Sequence, residues 1–206
     1  LLIVSGGNEV RAGPWNSQSL LAARLATAGF PVLRFDRRGV GDSSGRNAGF
    51  TGSADDIAAA VAAFRAHVPT LRRIVALGNC DAASALMLAG GASCDALVLT
   101  NPWTFEPEPE VDTSAPVPEP APMPPSALRA HYLRRLTDPR ALWRLLTGKV
   151  AVGKLTASLV EAAKPNAAPT PLARQLHEGL AGFAGPVTIL LAERDRTAQA
   201  FLANWD

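Results

Sequence analysis

The sequence predicts an α/β protein built on a mostly parallel, doubly wound sheet with an inserted helical cap. Three observations carry that expectation. Short apolar runs rich in branched residues recur without polar alternation, as strands covered on both faces require. Helical patterns lie between them, and strand–helix alternation is how a chain builds a parallel sheet. The alternation is interrupted once, between Pro102 and Pro186, by a proline-rich stretch and then by helical sequence.

Taken in order, LLIVSG (1–6) reads as the first buried strand. SQSLLAARLATAG (17–29) reads as a helix with leucines at 20, 21 and 25, stopped at Gly29, a residue suited to a helix C-terminus. PVLRFD (31–36) is the second strand. SADDIAAAVAAFRAH starts at Ser53 with Asp56 three residues on, the arrangement of a capping box, and places Ile57, Val61 and Phe64 on one face. RIVALG (73–78), ALVLTN (96–101) and PVTILLA (186–192) complete the strands.

Nine of the chain's seventeen prolines fall between Pro102 and Pro125. Proline lacks the backbone donor and fixes φ, so residues 103–125 are expected to form an extended linker. Residues 128–150 are helical and basic, with Leu133, Leu136, Leu142, Trp143 and Leu145 available for one face. The expected division is a core of residues 1–102 and 183–206 and a helical cap over 126–182. Caps over the carboxyl ends of strands commonly shape substrate pockets.

Composition limits the function classes. With 206 residues and 48% hydrophobic content, the chain can bury a sizeable core. A formal net charge of +2 offers no strong field for nucleic acid. The apolar runs are strand-sized and interrupted, which argues against a membrane span, and residue 1 already lies in a strand-like run, which leaves no signal peptide. Two cysteines, Cys80 and Cys94, are too few for a disulfide framework, so a reducing cytoplasm is expected. No phosphate-cradling G-x-x-x-x-G-K-[ST] is present, and no cofactor is expected. The chain opens without methionine and closes inside a helical pattern, so it reads as a fragment of a longer protein.

Chemistry concentrates at VALGNCDAASALML (75–88), where a strand stops at Gly78-Asn79 and a helix begins at once. Gly78-Asn79-Cys80-Asp81-Ala82 fits the strand–turn–helix elbow G-x-S-x-G, with cysteine for serine and alanine for the last glycine. The following helix's amino end favours a thiolate and an oxyanion. Cys80 is therefore either a nucleophile or a small core residue at a turn. SGGNE (5–9) follows the first strand, where the backbone N–H of Gly7 or Asn8 would join that of Asp81 in an oxyanion hole; a tight turn is the alternative. FDRRGVGDSSG (35–45) is a glycine-rich turn of the D-x-R-G-x-G-x-S kind, frequent in α/β-hydrolases. Asp195, in LLAERD, lies 115 residues after Cys80, just past the last strand, as the acid of a triad or as a helix N-cap. Arg11 is a candidate for an anionic substrate group, or a solvated turn residue.

These stretches resemble the α/β-hydrolase family called exosortase A system-associated hydrolase 1. AGFPVLRFDRRGVGDSSG, GNCDAASAL, LVLTNPW, HYLRRLTDPRALWRLLTGK and PVTILLAERDRTAQAF are similar to segments along most of that family's length, CDAAS being the most specific. The proline- and glutamate-rich linker is longer than the family pattern. The resemblance implies a bacterial hydrolase accompanying exopolysaccharide synthesis and exosortase sorting.

A Cys-His-Asp triad needs an imidazole base, and the hydrolase order is nucleophile, acid, histidine. His67, His131 and His177 all precede Asp195. His67 is expected at the opposite edge from the chemistry, His131 in the cap and His177 in a structural helix. The resemblance implies a base beyond Asp206. The expected reaction is attack of the Cys80 thiolate on an ester, thioester or similar acyl carbonyl of a small-molecule substrate. Water or another acceptor resolves the acyl-enzyme, the latter making an acyltransferase. A degenerate hydrolase acting as a binding protein is the alternative. A further one reads Arg129, Arg134, Arg135, Arg140, Arg144 and Lys149 of the cap as a membrane or glycan surface.

Overall fold

The computed structural model describes residues 1–105 and 168–205, together with Pro125 and Arg129. Five strands form one sheet: β1 (Leu2–Val4), β2 (Leu33–Arg34), β3 (Val75–Asn79), β4 (Ala96–Thr100) and β5 (Val187–Leu190). Their order is β2-β1-β3-β4-β5 and every pairing is parallel. Among the described residues, five α-helices accompany them: α1 (Ser17–Thr27), α2 (Ala54–His67), α3 (Asp81–Leu88), α4 (Pro171–Ala181) and α5 (Arg196–Trp205).

Hydrophobic patterning explains the layers. Leu2, Val4, Ala76, Leu97 and Leu99 of the sheet are buried. Ile57, Val61 and Phe64 of α2 lie in the same core cluster, on the face their spacing predicts. Helix α3 is buried from Ala82 to Met87, which its run of alanine, leucine and methionine permits on all sides.

Helix ends follow local chemistry in some places and depart from it in others. Gly29 takes φ +87°, and Gly29 N–H to Ala26 and Phe30 N–H to Leu25 close α1 with the two bonds of a Schellman end. The expected capping box at Ser53 does not form. Ser53 Oγ donates to the Gly49 carbonyl (2.7 Å) and accepts from Arg37 (2.8 Å), while Asp56 pairs with Arg38. A buried arginine needs acceptors more than an exposed helix end does, and it takes the hydroxyl. Leu20 and Leu21 of α1 also face solvent rather than the sheet.

The division at residue 182 shifts as well. Helix α4 falls inside the stretch expected to be cap, yet its Leu172 and Leu176 are part of the core cluster and it packs on α3. Thr170 caps it by accepting from Ala173 N–H at 3.1 Å, with Pro171 at the first turn. The linker beyond Phe105 and the rest of the expected cap, with His131, Arg134, Arg135, Arg140, Arg144 and Lys149, lie outside the described residues, apart from Pro125 and Arg129.

Candidate active site

Strand order decides where a site can form. Strand β1 has β2 on one side and β3 on the other, so the connections leaving β1 and β3 diverge and open a crevice at their carboxyl ends. Gly6-Gly7 leaves β1 and Cys80 leaves β3 at that crevice. The register Val4↔Gly78 sets the two exits side by side.

Cys80 holds φ 58° and ψ −123°, a conformation L residues rarely adopt, between the last residue of β3 and the first of α3. Its surroundings impose that strain. The Cys80 N–H donates to the Thr100 carbonyl (2.9 Å), and the Cys80 carbonyl accepts from Ala83 N–H (3.1 Å) and Trp103 N–H (3.3 Å). Gly78 is required because a Cβ there would lie 2.7 Å from backbone atoms of Ala82 and Ala83. Glycine lets α3 fold back against β3, and the turn projects Cys80.

The electrostatics differ from the sequence expectation. The helix amino end was expected to lower the thiol pKa, and an Asp81 backbone hydrogen bond does act in that direction. Burial outweighs it, and the charges of Asp81, Asp195 and Glu9 add to burial, so the thiol is pushed up to about 11. Cys94, buried near Asp95, is pushed up to about 11 also. A thiol so raised is protonated at neutral pH. Glu9 itself is raised by burial and by Asp81.

Asp195 follows β5, two strands from β3 in a parallel sheet, and so lies at the same edge as Cys80. It also caps α5, its Oδ1 accepting from Ala198 N–H at 3.0 Å. Both readings of Asp195 are therefore compatible with one position. Gly7 takes φ +52°, and its N–H donates to the Asp81 carboxylate (2.7 Å to Oδ1). Asn8 is exposed, and its Oδ1 accepts from Asn47 (2.7 Å).

Arg11 does not present a free guanidinium to the crevice. It pairs with Asp36 and with Asp42 (2.7 Å), while its N–H donates to Asp36 Oδ1 (2.6 Å). Burial alone would raise the Asp36 carboxyl, but N–H groups of Arg11 and Asp42 and the Arg11 charge outweigh it and hold it below its usual range. The arginine is structural because a buried carboxylate requires a partner.

The two described histidines stand apart from the elbow. His67 ends α2, ahead of β3, at the amino edge of the sheet, its Nδ1 2.8 Å from the Ala63 carbonyl. His177 is on the exposed side of α4 against Trp205, ring centroids 5.4 Å apart, beside a shallow cavity of about 230 Å³. Among the described residues, no group of three or more His, Cys, Asp or Glu is placed to hold a metal.

Glu9 and Arg37 were not singled out from sequence. Glu9 carried a signal, being the charged residue of a glycine turn at a strand exit. Arg37 carried none, since its burial beneath that turn, bonded to Ser53 and the Gly7 carbonyl, depends on long-range packing.

An all-parallel sheet with a strained cysteine elbow at its switch point defines an α/β-hydrolase fold. The profile of the alpha/beta hydrolase family matches residues 1–205, and the chain belongs to that family. Similar solved structures include an alpha/beta hydrolase from Sphaerobacter thermophilus (19% identity, 98% of this chain and 77% of the other, TM-score 0.48). The Pyrococcus furiosus esterase Pf2001 (14%, 99% and 78%, 0.49) and the Arabidopsis methylesterase MES16 (13%, 97% and 91%, 0.39) are also similar. No curated protein matches the chain. No described helix is long and apolar enough to cross a membrane.

Proposed function

We propose that the protein hydrolyses an ester, thioester or similar acyl bond with Cys80 as nucleophile and Asp195 as the acid that orients an imidazole base. The carrying observation is the backbone of Cys80, held at φ 58° at the switch point with the Asp81 N–H directed at it. Strain of that kind needs a reason, and exposing a reactive atom above a helix amino end is one.

The raised thiol pKa makes the base indispensable. Imidazole takes the Cys80 proton as sulfur attacks the acyl carbon, forming the C–S bond. The oxyanion is held by Asp81 N–H and by Gly7 or Asn8 N–H. The tetrahedral species collapses, the C–O bond breaks, and the alcohol leaves with the proton from the imidazolium. Water, deprotonated by the same base, then releases the acid from the thioester. Neither His67 nor His177 occupies the base's place, and His131 lies outside the described residues.

Resemblance at CDAAS supports a role beside exopolysaccharide synthesis and the exosortase A system, while two cysteines and a net charge of +2 support a cytoplasmic setting and a small acyl substrate rather than nucleic acid. An acyl acceptor other than water would make the same site an acyltransferase. Cys80→Ala should abolish p-nitrophenyl ester turnover while the circular-dichroism spectrum is kept. Retained turnover would leave Cys80 as a core residue and the protein as a binding module.

A further inference from the structure

The crevice holds one contact that its proposed chemistry does not use. The Gly7 N–H, expected to face an oxyanion, donates instead to both oxygens of the Asp81 carboxylate, at 2.7 and 2.5 Å. Residues 74 apart in sequence are thereby clasped across the mouth between β1 and β3. The loop is shaped around this carboxylate, since a Cβ on Gly6 would run into Asp81 Oδ1. Beneath it lies Arg37, 3% exposed, which donates to the Gly7 carbonyl and stands 3.9 Å from Asp81 Oδ2. Its Nε is buried with no partner. A backbone donor and a guanidinium converge on one negative group, as in an anion cradle.

From this geometry we infer that the Asp81 carboxylate is a built-in occupant of the oxyanion position, and that it gates acylation of Cys80. This rests on the reading of Cys80 as nucleophile. In the closed arrangement the Gly7 donor is engaged by a full negative charge, against which a neutral ester carbonyl competes poorly. Acylation requires Asp81 to turn away toward Arg37, whose guanidinium is within reach of Oδ2 and can receive it. The Gly7 N–H is then released to the carbonyl oxygen as negative charge develops. Among the described residues, the charged groups facing Asp81 are Arg37 from the turn after β2 and Glu9 from the turn after β1, and Asp81 and Asp195 both act on Cys80.

The test compares wild type, Asp81→Ala and Asp81→Asn in the complete protein. Two rates are read: acylation by p-nitrophenyl acetate, which builds an oxyanion, and alkylation of Cys80 by iodoacetamide, which builds none. A third readout is the Gly7 amide proton in a ¹H–¹⁵N spectrum. The gate predicts acylation up about tenfold or more in Asp81→Ala, beyond any rise in alkylation, since each ~1.4 kcal/mol of released donor is a factor of ten. It also predicts an upfield shift of the Gly7 amide in both variants. Asp81→Asn has nearly the native shape and keeps the comparison valid should the alanine variant not fold. Acylation that falls or stays level relative to alkylation would make Asp81 a loop-positioning residue and overturn the gate, as would an unmoved Gly7 resonance. Turnover retained in Cys80→Ala would sink the nucleophile reading and the gate together. Turnover lost in Cys80→Ala but not raised in the Asp81 variants would sink the gate alone.

Discussion

Cys80 is surrounded by carboxylates, and that sets its response to pH. A thiol at about 11 has a thiolate fraction on the order of 10⁻⁴ at pH 7, growing about tenfold per pH unit until the pKa is reached. Alkylation of Cys80 in the 206-residue chain should therefore climb steeply from pH 7 to about 10 and level near 11; a plateau by pH 8 would contradict the raised value. Cys94 has a similarly raised thiol but is buried where Cys80 is half-buried, so Cys80 should alkylate faster than Cys94 through access alone. Raised thiols also oppose folding at high pH. Their stabilisation is complete below the unfolded value of about 9 and is lost as pH rises through about 11.

The two readings of Asp195, acid of a proposed triad and cap of α5, can be separated by one substitution. Asparagine caps a helix about as well as aspartate, so Asp195→Asn should change urea-unfolding stability by less than about 0.5 kcal/mol. It carries no charge to orient an imidazole, and turnover in the complete protein should fall by roughly two to four orders of magnitude. Asp195→Ala should additionally cost about 1 kcal/mol of stability. A turnover unchanged in Asp195→Asn would reduce Asp195 to its cap on α5.

At the scale of elements, the elbow depends on how closely α3 leans on β3. Any Cβ at position 78 meets main-chain atoms of Ala82 and Ala83, which have no rotamer by which to yield. Gly78→Ala should therefore cost about 2 kcal/mol or more, measured by denaturant unfolding, and should slow Cys80 reactivity by displacing the turn. Much of this element was legible in sequence, because an apolar run that ends at Gly-x-Cys and passes directly into alanines admits few structures. The face of α2 was legible for the same reason: spacing fixed which residues point inward. The caps were less so. Ser53 shows the cause, since its hydroxyl answers to Arg37, sixteen residues away, and no local pattern encodes that demand. In α1 the leucines at 20 and 21 satisfy a helical pattern, but a pattern does not say which described surface covers them, and they remain exposed.

For the whole molecule, the parallel order of the described sheet brings the carboxyl ends of its five strands to one edge, where the glycine turn, the cysteine turn and Asp195 all lie. Charge pairing was not legible. Arg11 looked available from its position beside a glycine turn, yet Asp36, remote in sequence, claims it once the two strands align. The same long-range pairing placed Arg37 under the crevice. Chain order thus indicated which turns meet at the crevice, and the partners assigned by folding were not legible in it.

The backbone of Cys80 is fastened to β4 through Thr100 and to the loop after it through Trp103, and the Thr100 hydroxyl also donates to Asn79 Oδ1 at 2.8 Å. The elbow therefore has no hinge of its own: it opens only when the central strands part. Its amide should exchange with deuterium only through global unfolding, with an opening free energy within about 1 kcal/mol of the denaturant value. The Gly7 amide, on an exposed turn, should exchange orders of magnitude sooner. Rigidity and mobility are thus divided between the two walls of the crevice, Cys80 on the wall that cannot move and Gly7 on the wall that can. Any adjustment to differently shaped acyl groups must come from the glycine turn after β1, and variants that broaden substrate range should accumulate there and spare the cysteine turn.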